Sequence, residues 1–232
     1  MNKKPDIEFL ISTMNRSNFR FLDKMFLHFD LNELHILIIN QTTKDNILKS
    51  KKDNIRVVNV YEKGLSRSRN LAIKQAKGNI CFIADDDVEY LPEAIDVVSK
   101  AHQDYPDSAL ISFQFLNGKQ KLSKIYQKNS GYQHNMLHKQ ALSSIELTIK
   151  PEIIKNKKVL FNTCFGLGAN FKSGEEGLFR DDLVRAGLKV AYVSKPIAIH
   201  YGKTFIHDMG SKNYMQALTA TKYLQYKSLI YL

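Results

Sequence analysis

Gly64-Leu-Ser-Arg-Ser-Arg-Asn-Leu-Ala-Ile-Lys-Gln-Ala-Lys-Gly-Asn-Ile-Cys-Phe-Ile-Ala-Asp-Asp-Asp-Val-Glu-Tyr-Leu-Pro92 is the stretch on which the reading of the fold turns. Leu71, Ala72, Ile73 and Ala76 form a short apolar helical stripe, and Gly78 stands where such a helix would end. Ile80 to Ala84 is a near-continuous apolar run, the pattern of a parallel strand buried on both faces. Asp85, Asp86 and Asp87 follow at its carboxyl end, the edge where open α/β sheets bind ligands. Residues two apart on extended backbone point the same way, which puts Asp85 and Asp87 on one face. Three adjacent carboxylates repel one another, so something cationic must offset them, and a hard divalent ion with oxygen ligands is the natural candidate. Lys63, Arg67 and Arg69 reach the same edge through the strand connection, and cations beside a metal-ready carboxylate pair suit a diphosphate. Taken alone, the acidic run fits equally well a solvated loop capping the next helix, with Pro92 in its first turn.

Outward from this stretch the pattern repeats. Ile7 to Ser12 predicts a first strand, with Thr13 to Asn18 as the loop into a helix over roughly 19–29. Leu34 to Ile39 and Ile55 to Tyr61 predict two more strands, Leu91 to His102 an amphipathic helix, and Ala109 to Phe115 a further strand. Strand, helix, strand in succession predicts an α/β fold in which a mostly parallel, Rossmann-like central sheet is flanked by helices. At 232 residues the chain suits a single domain with a full hydrophobic core.

Two cysteines, Cys81 and Cys164, have no metal-type spacing and predict buried, reduced thiols. No leader pattern opens the chain, and no apolar run approaches the roughly 20 residues that span a bilayer, which predicts a soluble or peripheral, cytoplasmic protein. The formal net charge of +11 is compatible with nucleic acid, an anionic membrane surface or phosphorylated substrates. With no zinc-finger spacing, basic-region heptad or RNA-recognition aromatic motif, nucleic acid is not an expected partner.

The order Gly-x-Ser-x-x-Arg-Asn over 64–70, Lys77-Gly78, then Phe-Ile-x-Asp-x-Asp over 82–87 resembles glycosyltransferase family 2, whose members have a GT-A fold. The resemblance implies that Asp85-Asp86-Asp87 is the family's Asp-x-Asp. Asp85 then lies near ribose or metal, Asp86 belongs to the nucleotide-sugar site, and Asp87 is a direct ligand of Mn2+ or Mg2+ bridging a nucleoside diphosphate. Ser12-Thr13-Met14-Asn15 resembles the turn beneath the base at Thr13 and Asn15, though not at the family's proline and tyrosine. Asn40 stands where the family has a carboxylate that accepts from uracil N3–H; its amide can accept likewise, and also donate to another base. Asn40 and Thr42 as simple turn residues remain the alternative. Arg69, at a loop-to-helix junction, would place its guanidinium on a phosphate, an ordinary surface arginine being the rival reading.

From 118 to 158 nine lysines stand against two glutamates, and a solvated, lysine-rich insertion is the plain reading. By the resemblance this region supplies acceptor-side surface, and a phosphate-bearing acceptor such as a lipid diphosphate-linked oligosaccharide would suit its charge. His134 and His138 are four apart but lack a third ligand, so they are not assigned a metal. Phe161 to Phe171 is glycine-punctuated and leads to Gly174-Glu175-Glu176 before a helix and a Lys189–Val193 strand. First-turn acids complement a helix dipole, which explains Glu175 and Glu176 structurally. The resemblance makes Glu176 the general base on the acceptor hydroxyl and Glu175 its orienting partner, with Asp181 and Asp182 as solvated neighbours. A last strand over 197–199 ends at His200, which by resemblance joins Asp87 on the metal, His207 being a weaker rival. The 209–232 tail reads as a helix, docked on the core or lying on an anionic membrane face.

The expectation is therefore a domain over 1–208, with a nucleotide-sugar part over 1–116 and an acceptor-side part over 117–208, plus the tail. The expected activity is inverting transfer from a nucleoside diphosphate sugar, UDP-linked by preference, to a saccharide or lipid-linked acceptor in bacterial surface polysaccharide synthesis, with peripheral contact at the inner face of the cell membrane. Two rivals stand. A nucleotidyltransferase would want a glycine-rich basic loop after the first strand, where this chain has only Thr13 to Asn18. A non-catalytic module would bind an anionic partner through the 118–158 lysines.

Overall fold

The computed structural model describes residues 6–133, 141–202 and 211–226. Strand β1 (Ile7–Met14) is followed by α1 (Arg20–Met25), β2 (His35–Gln41), β3 (Ile55–Val60), α2 (Leu65–Gln75), β4 (Ile80–Asp85), β5 (Val88–Tyr90), α3 (Ala94–Asp104) and β6 (Ser108–Asn117). Then come β7 (Gly131–Tyr132), a 3-10 turn (Ser144–Glu146), β8 (Leu147–Ile149), α4 (Pro151–Lys157), α5 (Glu175–Arg185), β9 (Lys189–His200) and α6 (Lys212–Tyr226). The sheet runs β3-β2-β1-β4-β8-β6-β9-β5, with β7 also on β9.

The first half is the parallel array that the sequence predicts: β1 pairs in parallel with β2 and β4, and β2 with β3. Alternate residues of each strand enter different layers, the two-residue period of extended backbone. Phe9, Ile11, Phe82 and Ala84 pack against α1 and α3, while Leu10, Cys81 and Ile83 pack against α2, α4 and α5. Each fully buried side chain of this size contributes about 1.5–3 kcal/mol, so a strand covered on both faces is held along its whole length. The Phe9 and Phe82 rings stack at 4.4 Å, with Phe26 and Tyr90 edge-on to Phe9 at 4.8 and 4.9 Å.

Gly78 serves close packing rather than a helix cap. Helix α2 ends at Gln75, and a Cβ at residue 78 would lie 2.7 Å from the Cβ of Glu8. The buried Glu8 carboxylate accepts from Arg56 Nη2 at 2.6 Å and from the main-chain N–H groups of Lys77 and Gly78 at 2.7 and 2.9 Å. Burial alone would raise its pKa; these donors outweigh burial and hold it below the usual carboxylate range.

Several other elements depart from the expected pattern. Helix α1 spans 20–25 rather than 19–29, and β5 was not anticipated. Within the region read as a solvated insertion, β8 lies mid-sheet, antiparallel to both β4 and β6, with Leu147, Thr148 and Ile149 fully buried. The strands predicted over 189–193 and 197–199 are one strand, β9, whose pairing with β6 shifts register between Tyr192 and Pro196. Pro196 sits in that irregularity, where its missing N–H removes no regular ladder bond. His134, His138 and His207 lie outside the described residues.

Candidate active site

The carboxyl ends of β1 and β4, the tip of β2, the start of α5 and one side of α6 enclose a cavity of about 900 Å³. Its lining includes Thr13, Gln41, Arg69, Asp85, Asp86, Asp87, Glu175, Glu176 and His200. Parallel pairing sets Ser12 opposite Asp85 and Thr13 opposite Asn40, which is how residues distant in sequence reach one edge. Glu175 and Glu176 come to the same place because Gly174, with φ of 97°, turns the chain into α5 there.

The three consecutive aspartates do not share a face. The strand ends at Asp85 and the chain turns through Asp86 and Asp87, so each carboxylate finds its own partner. Asp85 accepts from Arg69 Nη2 at 3.1 Å and from Ser144 Oγ at 2.7 Å. Asp86 accepts from Thr13 Oγ1 and, at 2.7 Å, from Arg16 Nε. Asp87 meets His200 Nε2 at 3.1 Å. The guanidinium groups of Arg69 and Arg16 offset the repulsion at Asp85 and Asp86, while Asp87 has an imidazole as its partner. Among the three, Asp87 is the most open, its side chain 59% exposed. Its bond with His200 lowers the Asp87 pKa and raises that of His200.

Arg69 is not a surface arginine: it lines the cavity from a buried position, held by three carboxylates. Its side chain is 2% exposed, with Nη1 donating to Glu175 Oε1 at 2.9 Å and Glu176 Oε1 at 3.2 Å while Nη2 serves Asp85. Burial opposes its charge, but Asp85, Glu176 and Glu175 outweigh burial and keep it protonated. One guanidinium therefore ties the β4 tip to the first turn of α5. Glu176 keeps a raised pKa of about 8, because burial and then the adjacent Glu175 outweigh the attraction of Arg69.

Asn40 is not a cavity residue. It is fully buried, exchanging bonds with the main chain of Arg16 and donating to Asn59 Oδ1, all at 3.0 Å, so its amide is committed inside the protein. Gln41, the next residue, lines the cavity instead, with Oε1 accepting from Gly64 N at 2.7 Å. Asn15 is an exposed turn residue with φ of 55°, and Asn46 Nδ2 donates to its carbonyl at 3.2 Å. Asp181, read as solvated, is buried and accepts from Arg180 Nη2 at 2.7 Å and Gln225 Nε2 at 2.6 Å. That second bond, together with buried Ala217 and Thr221, docks α6 on α5.

The sequence profile of glycosyl transferase family 2 matches residues 10–174, which is most of the chain. The chain belongs to glycosyl transferase family 2. Its fold is GT-A: S. aureus TarS 1-349 in complex with UDP-GlcNAc superposes with a TM-score of 0.63 at 15% identity, over 93% of this chain and 65% of that one. The mannosyltransferase PcManGT from Pyrobaculum calidifontis, in complex with GDP-Man and Mn2+, gives 0.63 at 11% identity, over 98% and 66%. This chain spans about two thirds of the length of TarS 1-349 and 39% of the longer TarS chain. No curated protein sequence matches it.

Within this family 2 domain, Asp87 and His200 fit a divalent cation. Their ligating atoms stand 3.1 Å apart beside the cavity, close to the roughly 3.0 Å edge of an octahedron with bonds of about 2.1 Å. Among the described residues no group of three or more His, Cys, Asp or Glu is arranged for a metal. Gly202 leaves room for the imidazole, since a Cβ there would lie 2.8 Å from His200 Cε1. Sequence reasoning missed Arg16, Gln41 and Ser144. Their signals lie in tertiary pairing, and only the place of Arg16 in the first polar loop could have pointed to it.

Proposed function

We propose that the chain transfers a sugar from a nucleoside diphosphate sugar, UDP-linked by preference, to an acceptor hydroxyl with inversion at the anomeric carbon. The observation that carries this reading is Arg69, which holds the Asp85 end of the acidic run and the Glu175-Glu176 pair around one buried guanidinium inside a single cavity. A donor part and an acceptor part built into one charge cluster suit a direct displacement.

In this mechanism Glu176 takes the proton from the acceptor hydroxyl. A raised pKa near 8 gives it the basicity a general base needs near neutral pH, and Arg69 opposes its full neutralisation. Glu175 shares Arg69 and orients it. Asp85, fixed by Arg69 and Ser144, and Thr13, fixed by Asp86, form a rigid floor for the nucleotide part of the donor. Asp87 and His200 would hold the cation. Bound there, it supplies positive charge to the departing diphosphate. A nitrogen ligand favours Mn2+ over Mg2+, which prefers oxygen.

The acceptor in this reading is a saccharide or a lipid-linked saccharide of a surface polysaccharide, met in the cytoplasm at the inner face of the membrane. Among the described residues no helix is long and apolar enough to cross a membrane. The test is a thermal-shift screen of nucleoside diphosphates and their sugars with and without Mn2+. A ligand at about 100 times its Kd stabilises the fold by about 2.7 kcal/mol. UDP compounds should give the largest Mn2+-dependent shift, and a flat response to every nucleotide would overturn the reading.

A further inference from the structure

At the β2 tip the cavity is offered an amide. Gln41 closes β2, lines the cavity and is 6% exposed. Its Oε1 accepts from the main-chain N–H of Gly64 at 2.7 Å. A main-chain N–H only donates, so this bond fixes which way round the amide stands. Nε2 and its two N–H donors are what remains, and among the described residues nothing accepts from them. Nor is Nε2 one of the polar atoms sealed in the core, so its open surface belongs to the cavity that Gln41 lines.

The surroundings of this amide are apolar. Met14 pairs with Gln41 across the β1–β2 ladder, and Leu65, next to Gly64, donates its N–H to the Leu167 carbonyl at 2.9 Å. Met14, Leu65 and Leu167 all line the cavity, whereas Lys63 and Arg67, the cations flanking this turn, do not. A phosphate would call for cations here, and a sugar ring for several polar partners. One fixed donor among apolar side chains suits a flat heterocycle with a carbonyl at its edge.

Sheet order supplies the distance. Strands β2 and β4 lie on either side of β1, so their tips stand two strand spacings apart, about 9.5 Å. With the diphosphate at the cation beside Asp87 and the ribose over the Thr13–Asp85 floor, the base reaches the β2 tip. In a pyrimidine, O2 lies beside the glycosidic bond, while position 4 is at the far edge and meets Gln41.

We infer that Gln41 selects the nucleotide base. Its Nε2 donates to a carbonyl at the far edge of the ring, uracil O4 or guanine O6, whereas cytosine and adenine would set an amino group against it, donor facing donor. The polarity is opposite to that of a carboxylate accepting from N3–H. The inference rests on the transferase reading above and gives that site its base specificity.

The test is calorimetric titration of the protein with Mn2+ and UDP, CDP or the diphosphate of pyrimidin-2-one riboside, a uridine analogue without O4. UDP should bind tighter than either by about tenfold or more, the cost of leaving a buried donor without its acceptor. GDP should likewise exceed ADP. Gln41→Glu keeps an oxygen for the Gly64 N–H and turns the other end of the side chain into an acceptor, so its ratio of UDP to CDP affinity should fall to one or below. Where a melt shows that variant unfolded, the wild-type ratios decide. Equal binding of UDP, CDP and the analogue by wild type, or a folded Gln41→Glu protein with the wild-type ratio, overturns the inference. Absence of Mn2+-dependent binding by every nucleotide overturns the transferase reading and this inference with it; tight binding without preference among bases counts against Gln41 alone.

Discussion

Replacing Arg69 by methionine keeps most of the side-chain volume but removes the guanidinium shared by Asp85, Glu175 and Glu176. Arg69 is 2% exposed, Glu175 5% and Glu176 13%, so solvent does little to screen the carboxylates left behind. Removing one partner from a buried ionic cluster costs about 3–5 kcal/mol. In a chain of this size each kcal/mol moves Tm by about 2–4 °C, so the variant should melt roughly 6–20 °C lower at pH 8. The sign of the pH effect follows from the charges. Arg69 does not titrate, but the carboxylates do, and protonating them removes the repulsion that the variant can no longer offset. The gap between wild type and Arg69→Met should therefore narrow as pH falls toward about 4, near ordinary carboxylate pKa values. Calorimetric melts at pH 8, 6 and 4 measure it. A gap that stays constant across that range would refute the reasoning, because it would assign the loss to packing on the Phe161 ring, 5.7 Å from the guanidinium carbon, and not to charge.

Three further outcomes follow from the same geometry. Glu176 has a folded-state pKa raised to about 8, so the stability it contributes is present below the ordinary carboxylate value of 4.5 and is lost as pH climbs to about 8. Glu176→Gln should accordingly gain stability over wild type between pH 5 and 8 in urea titrations, while abolishing transfer and sparing UDP binding; a flat difference, or retained turnover, contradicts the role given to it. Gly174→Ala places a side chain at φ of 97° with its Cβ 2.5 Å from Thr221 Oγ1, adding about 1–2 kcal/mol of backbone strain to a clash with α6. Thr221→Ala in the same chain should recover the clash but not the strain, and full recovery or none would show the contact is misread. Glu8, whose pKa is lowered, contributes stability above the usual carboxylate range that disappears as pH falls through its folded value, so Glu8→Gln should lose about 1–3 kcal/mol at pH 7 and much less in acid.

The parallel half of the fold is legible because its information is local. Ile80 to Ala84 reads as a doubly buried strand from composition alone, and the acids after it fall at the ligand edge for any sheet of this class. Strand β8 is not legible: three residues in a lysine-rich neighbourhood carry no period, and what makes Leu147–Ile149 a strand is the pair of neighbours waiting on either side. The site divides in the same way. The aspartates, Glu175, Glu176 and His200 are visible as residue types at motif spacing. Of the partners of Arg69, Glu175 lies 106 positions away, so nothing local distinguishes a buried counter-ion from a phosphate ligand. Asn40 has an amide suited both to a base and to the protein's own polar groups, and only its burial in β2 against Arg16 and Asn59 decides for the latter. Lys124 and Asp181 look like solvated charges because Glu146, which pairs with Lys124, and Gln225, which donates to Asp181, are distant in sequence.

The central claim is that Asp87 and His200 bind a divalent cation and, through it, a nucleoside diphosphate. Calorimetric titration of UDP into wild type and Asp87→Ala, each with Mn2+ and with EDTA, measures it most directly. The account predicts tight binding only for wild type with Mn2+, with EDTA and the substitution each weakening UDP by at least tenfold and showing no further loss when combined. UDP binding of equal strength in all four titrations would contradict it.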